Sequence, residues 1–328
     1  MSDERGKLMQ EAEFQQKLQY MEEIFFPNDT PLPFKGQLKI HPVKIKDYYK
    51  FYSLINCFTV DKNTDVENLG FKKSHLDYAL FLAEKERNGF GMRFIELLKL
   101  VFNIENAIIC DNKDCDFEEQ EIYGFYAKLF TLQEEYKTAS VDRRKQIEEE
   151  VDSLCRCPKC KTPLREKIFM NFKEKERSLF VGHEKIEKDE YEFLRRIYCY
   201  QNILDYDDSY VDPELKEAIE ERKRLESAGS ESPSLEKQEA AVITGSPYTF
   251  ETIKELTLRK FTVLLRIIEA KLQYEAMRTG EMSGMVTFKN PIPHWLYSGN
   301  KKKSIMDEVT SLDSFKGKFQ ENGNATVN

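Results

Sequence analysis

From Tyr248 to Lys289 the chain reads YTFETIKELTLRKFTVLLRIIEAKLQYEAMRTGEMSGMVTFK. Phe261, Leu264, Leu265, Ile268, Leu272 and Ala276 recur there at helical spacing on one stripe, while Arg259, Lys260, Arg266, Glu269 and Lys271 lie mostly off it. Such a stripe usually faces a core. Thr249 is the expected N-cap, with Glu251 in the first turn, where the free amides of a helix favour negative charge. Gly280 and Gly284 punctuate the end, and Met285-Val286-Thr287-Phe288-Lys289 then alternates as a short strand. A long helix turning into strand-period peptide predicts an α+β chain, predominantly helical.

The preceding segments extend that reading. Residues 1–26 form an acidic amphipathic pattern (Leu8, Phe14, Leu18, Met21) that Pro27, Pro31 and Pro33 stop. It is either a loose terminal arm or an arm that folds onto a partner. Leu38, Ile40, Val43 and Ile45 alternate as one or two short strands. Asp47 is a candidate cap for an aromatic-rich helix over 48–58, and Asp61-Lys62-Asn63 reads as a turn. Ser74 opens a capping-box pattern before an apolar helix, and a second apolar helix covers 92–102. Two polar helices fill 116–154, broken near Thr138-Ala139-Ser140. Strands are expected within 163–172 and 179–182, and a helix over 188–204. Asp212-Pro213 starts a charged helix, residues 227–234 form a Ser/Gly/Pro loop, and Ser232 or Ser234 caps a helix through Ile243.

Seven cysteines stand in a chain of 328 residues with net charge −8. No run of about 18 apolar residues occurs, so no membrane span is expected. Met1-Ser2-Asp3-Glu4-Arg5 lacks the apolar segment of a signal peptide, so thiols or metal ligands are expected before disulfides. A diffuse acidic balance disfavours broad binding to a phosphate backbone, although Lys301-Lys302-Lys303 is a local basic patch.

Cys110-x4-Cys115 and Cys157-x2-Cys160 each occupy a turn-rich peptide, and the polar helices separate them. Two such knuckles can supply four thiolates to one tetrahedral ion. The expected metal ligands are therefore Cys110, Cys115, Cys157 and Cys160, with Cys155 a spare or competing ligand. A closed four-sulfur site leaves no position for water, so zinc there would be structural and would staple an insertion too polar to build its own core. Unmetalled thiols, a redox pair and iron–sulfur ligation remain open from spacing alone. Cys57 and Cys199 read as buried thiols. His41, His75, His183 and His294 are scattered, with His75 read as a surface residue and His294 as a neighbour of Trp295. No phosphate loop, dinucleotide fingerprint or nucleophile elbow is found, and no enzyme activity is expected. Asp205, Asp207 and Asp208 read as a solvated turn.

Several short motifs resemble tailed-bacteriophage tail-assembly proteins of the baseplate-hub or tape-measure-chaperone kind. They are His41-Pro42-Val43-Lys44-Ile45-Lys46-Asp47-Tyr48-Tyr49-Lys50-Phe51, Asp61-Lys62-Asn63, Ser234-Leu235-Glu236-Lys237-Gln238 and Leu258-Arg259-Lys260-Phe261, then Glu281-Met282-Ser283-Gly284-Met285-Val286-Thr287-Phe288-Lys289 and His294-Trp295. The likeness covers roughly residues 35–298 without the cysteine-bearing insertion. It implies a non-enzymatic binder of phage tail or baseplate proteins, the tape measure protein being one candidate, working in the host cytoplasm during assembly or in the virion tail. The mobile N-terminal arm and the helix at 213–226 are the expected binding segments. The alternative is a zinc-ribbon nucleic-acid-associated regulator. The expected organisation is a helical arm with a Pro-rich link (1–36), a discontinuous core domain (37–109 and 162–298), a Cys-knuckle helical-hairpin insertion (110–161) and a polar flexible tail (299–328).

Overall fold

The computed structural model describes residues 2–172, 177–208, 233–284, 288 and 290–296, with side chains from residue 11 onward. The chain is mostly helical with small antiparallel sheets, an α+β protein. It divides into two compact units, residues 1–43 with 47–198 and residues 44–46 with 199–328.

The first unit begins with α1 (Ser2–Ile24) and a hairpin of β1 (Leu32–Lys35) and β2 (Leu38–Ile40). Pro33 was expected in an extended link, but it lies within β1 of this two-stranded sheet. The arm is docked on its own unit. Phe14 and Leu18 are buried, Phe14 meets Phe193 edge-on, and Arg196 lies over the Phe14 ring while pairing with Glu11 at 2.8 Å.

The helices α2 (Tyr48–Leu54), α3 (Asn56–Thr59), α4 (His75–Glu84) and α5 (Phe90–Phe102) follow, with α8 (Lys188–Asn202) contributing its residues to Tyr198. Their core is aromatic. Phe58 is fully buried and meets Phe94, Tyr191 and Tyr198 edge-on, with ring centroids 5.8–6.4 Å apart. Asp47 precedes α2 without a side-chain cap bond, whereas Ser74 accepts the amide of Asp77 at 3.0 Å. Of the aromatic run, Phe51 is buried and Tyr49 and Tyr52 are exposed, because one helix can turn only one face inward.

β3 (Ile108–Cys110) pairs with both β4 (Glu118–Glu119) and β5 (Leu164–Glu166). Between β4 and β5 the chain forms a helical hairpin, α6 (Ile122–Thr138) and α7 (Val141–Leu154), with its break where the sequence placed it. A second sheet, β6 (Ile168–Asn171), β7 (Ser178–Val181) and β8 (Glu184–Ile186), completes the unit.

In the second unit, Lys44–Lys46 runs beside residues 254–257. Ile45 donates its amide to the Leu256 carbonyl at 2.9 Å, and Lys44 and Lys46 both pair with Glu255. Ser234 caps α9 (Leu235–Gly245). The opening stretch is two helices, not one. α10 (Phe250–Ile253) starts at Thr249, and α11 (Leu258–Met282) has its own cap in Thr257. Its stripe is buried at Phe261, half-buried at Leu264, Leu265 and Ile268, and exposed at Leu272 and Ala276. A side chain at Gly245 would stand 2.8 Å from Ile268, so α9 and α11 meet there at a glycine. Asp205 pairs with Arg266, and Asp208 accepts from the Tyr200 hydroxyl, so two acids of that turn have partners in the chain. The expected strand 285–289 (apart from Phe288), helix 213–226, loop 227–232 and tail 299–328 lie outside the described residues.

Candidate metal centre

The site is built by two turns at one end of the sheet β4-β3-β5. Cys110 is the last residue of β3, where the strand leaves its ladder. Cys115 follows on a turn in which its amide bonds the Asn112 carbonyl at 3.1 Å and Asp114 bonds the Asn112 side chain. Cys157 and Cys160 flank the tight turn before β5. Lys161 there adopts a left-handed φ of 64° and returns its amide to the Cys157 carbonyl at 2.9 Å. Two backbone bonds close this second turn against its neighbours, from Cys157 to the Thr162 carbonyl and from Asp111 to the Pro163 carbonyl.

All four Sγ atoms lie within 4.8 Å of one another. The two nearest pairs cross between the knuckles, Cys110 to Cys160 at 3.3 Å and Cys115 to Cys157 at 3.7 Å. A tetrahedral ion with metal–sulfur bonds of 2.3 Å needs sulfurs about 3.8 Å apart, so the spacing fits a single ion. A cluster of several irons would hold its thiolates farther apart. Cys110 and Cys157 are buried, Cys115 is half-buried and Cys160 is exposed.

The environment both resists and supports thiolate charge. Burial pushes the Cys110 thiol up to about 12, opposed by the Asn112 amide, which donates to its sulfur over 3.4 Å. Bonding from the Thr162 hydroxyl and amide pulls the exposed Cys160 thiol down to about 6. A cation in the cradle would stabilise all four as thiolates, which is how ion binding becomes folding energy. Cys155, the spare candidate, caps α7 outside the group, and its carbonyl accepts the amide of Leu164. Cys57 and Cys199 are buried thiols elsewhere in the chain.

Arg165 on β5 links the knuckles to the second sheet by bonding Asp111 at 2.5 Å and the Gly182 carbonyl at 2.7 Å. Sequence reading missed this brace, since Arg165 and Asp111 are 54 positions apart. His75, read as a first-turn surface residue, is half-buried at the start of α4. His75 lies 2.6 Å from Glu192, which binds Arg195 as well. Burial opposes charge on Glu192, but the hydrogen bonds from His75 and Arg195 hold its carboxyl down to about 2. His294 stacks on Trp295 and lies 5.2 Å from Tyr274 of α11.

Among the described residues no helix is long and apolar enough to cross a membrane. Comparison with protein-family models, with curated proteins and with solved structures finds no match to the chain.

Proposed function

We propose that the protein is a non-enzymatic scaffold, stapled by one structural zinc ion, that binds partners during assembly of a phage tail or baseplate. The observation that carries the staple is the convergence of four cysteine sulfurs, from two knuckles, within 4.8 Å. Bound zinc would supply four strong bonds and no open coordination position. The chain's own residues do the rest. Cys110 and Cys115 would hold the strand side and Cys157 and Cys160 the hairpin's return; the Asn112 amide directs a hydrogen bond at the Cys110 sulfur, and the Cys160 thiol bonds the Thr162 hydroxyl.

The staple supports an exposed contact element. Tyr123, Tyr126 and Phe130 line one face of α6 and are all exposed. An uncovered aromatic face on a helix serves association better than solubility. The zinc identity rests on an all-sulfur donor set, which suits zinc or iron. The assembly role rests on the motif likeness at 41–51 and 281–289, and it carries the expected partners, phage tail proteins including the tape measure protein.

Elemental analysis of the purified protein, joined to co-purification from infected cells, tests both parts. One zinc per chain and enrichment of a tail protein is the expected pair of results. A chain without zinc or iron contradicts the staple. Failure to enrich any tail protein, together with a salt-dependent shift of labelled DNA, would replace the assembly role with the nucleic-acid reading.

A further inference from the structure

Between α6, α7 and the second knuckle runs an open groove of about 780 Å³. Phe117, Phe125, Leu154 and Leu164 give it an apolar lining, four acids (Glu119, Glu121, Glu149, Glu150) and two bases (Lys128, Arg156) stand along it, and Glu119, Glu121 and Glu149 are exposed. Most of the hairpin's other acids are already neutralised: Glu135 and Glu150 by Arg143, Asp152 by Arg156, Glu118 by Lys167. No described lysine or arginine pairs with Glu119, Glu121 or Glu149.

A second observation concerns Gly124, which lines the same groove in the first turn of α6. Its backbone is helical and its φ is not positive, so no turn requires a glycine. A Cβ placed there would meet nothing nearer than the Glu121 carboxylate, 3.6 Å away. Glycine weakens a helix relative to alanine, so packing within this chain gives no reason for it. What its missing side chain does provide is room in the groove beside Phe125.

We infer that this groove docks a basic, apolar peptide segment of a partner protein, with Lys or Arg side chains reaching Glu119, Glu121 and Glu149 and apolar ones entering over Gly124. The inference rests on the reading of the protein as a binder and names the chemistry of its partner. Charge complementarity selects the occupant. Arg143 offsets Glu150 and Asp152 takes Arg156, which leaves Glu119, Glu121 and Glu149 against Lys128; an acidic peptide or a nucleic acid would meet that acidic excess, and like charges brought together disfavour binding.

The test is fluorescence anisotropy on the full-length, metal-replete chain, using two labelled synthetic peptides, one of Lys and Leu in amphipathic order and one of Glu and Leu in the same order. The Lys peptide is expected to bind, with affinity falling as salt rises, and the Glu peptide is not. Gly124→Ala is expected to leave thermal stability equal or higher while weakening the Lys peptide at least tenfold. Glu149→Gln with Glu121→Gln is expected to weaken it tenfold or more without loss of the fold. Equal binding of both peptides, no binding, or a Gly124→Ala variant that binds as well as the parent would overturn the inference. Retention of a tail protein that is indifferent to these substitutions would sink the groove and leave the scaffold reading standing.

Discussion

Replacing Cys157 by serine removes one fully buried sulfur of the four proposed to hold zinc. A serine hydroxyl stays protonated at neutral pH and is a poor zinc ligand, so the proposed staple would be lost. From Cys115 to Cys157 the proposed bridge would close a loop of 43 residues, counting both ends. Treated as a cross-link, a loop of that length restricts the unfolded chain by about 4 kcal/mol. Apart from the Arg165 brace on Asp111 and ion pairs such as Lys167 with Glu118, little else holds the insertion. Ile147 is its one buried side chain on the described helices α6 and α7, and its strands are two or three residues long. Amide hydrogen exchange, measured peptide by peptide, should therefore quicken across 110–161 by roughly a thousandfold at the ceiling, since 1.4 kcal/mol is a factor of ten. Peptides from α4, α5 and α8 should change little. A strong chelator acting on the parent protein should reproduce the pattern. If exchange in 110–161 stays at the parental rate after the ligand is lost, the knuckles do not carry the insertion and the reasoning fails.

Further consequences concern the rest of the first unit. Phe58→Ala should cost about 3–5 kcal/mol in chemical unfolding, because the ring is fully buried among three edge-on aromatics; a loss below 1 kcal/mol would mean the cavity collapses freely. Gly70→Ala should destabilise by about 1–3 kcal/mol, since the added carbon would stand 2.2 Å from the Lys62 carbonyl oxygen. Glu192 is held near 2, below its ordinary 4.5, so its contribution is fully present above pH 4.5 and is lost as pH falls toward 2. The shift alone would give about 3 kcal/mol, but the side chain is 36% exposed and screening reduces this to about 1–2 kcal/mol. The stability gap between the parent and Glu192→Gln should therefore narrow over that window, and a gap independent of pH would refute the ion-pair account.

The helical hairpin and the cysteine knuckles were legible because their signals are local. Caps, a break at Thr138–Ser140 and short Cys spacings act over a few residues. Ser74 showed its helix start for the same reason, and the second start was narrowed to Ser232 or Ser234, of which Ser234 is the cap. Thr257 was not legible, because an apolar stripe continues through it and only the cap geometry separates α10 from α11. The burial of the α11 stripe failed for a different reason. Periodicity marks an apolar face but not whether anything covers it, and Leu272 and Ala276 are exposed beyond Ile268. Pro33 in β1 was hidden because a short sheet tolerates a residue that interior pairing would reject. The docking of Phe14 on Phe193 and the brace of Arg165 on Asp111 depend on contacts far apart in sequence, which no spacing rule records. Gly124 carried a signal, a glycine in a helix without a structural need, that becomes visible only once the space around it is known.

Native mass spectrometry of the intact chain, combined with alkylation of its thiols, reads out the four-cysteine group itself. The expected mass includes one zinc ion, with Cys110, Cys115, Cys157 and Cys160 protected while Cys155 reacts. A metal-free mass, with those four cysteines alkylated as fast as Cys155, would contradict the zinc staple.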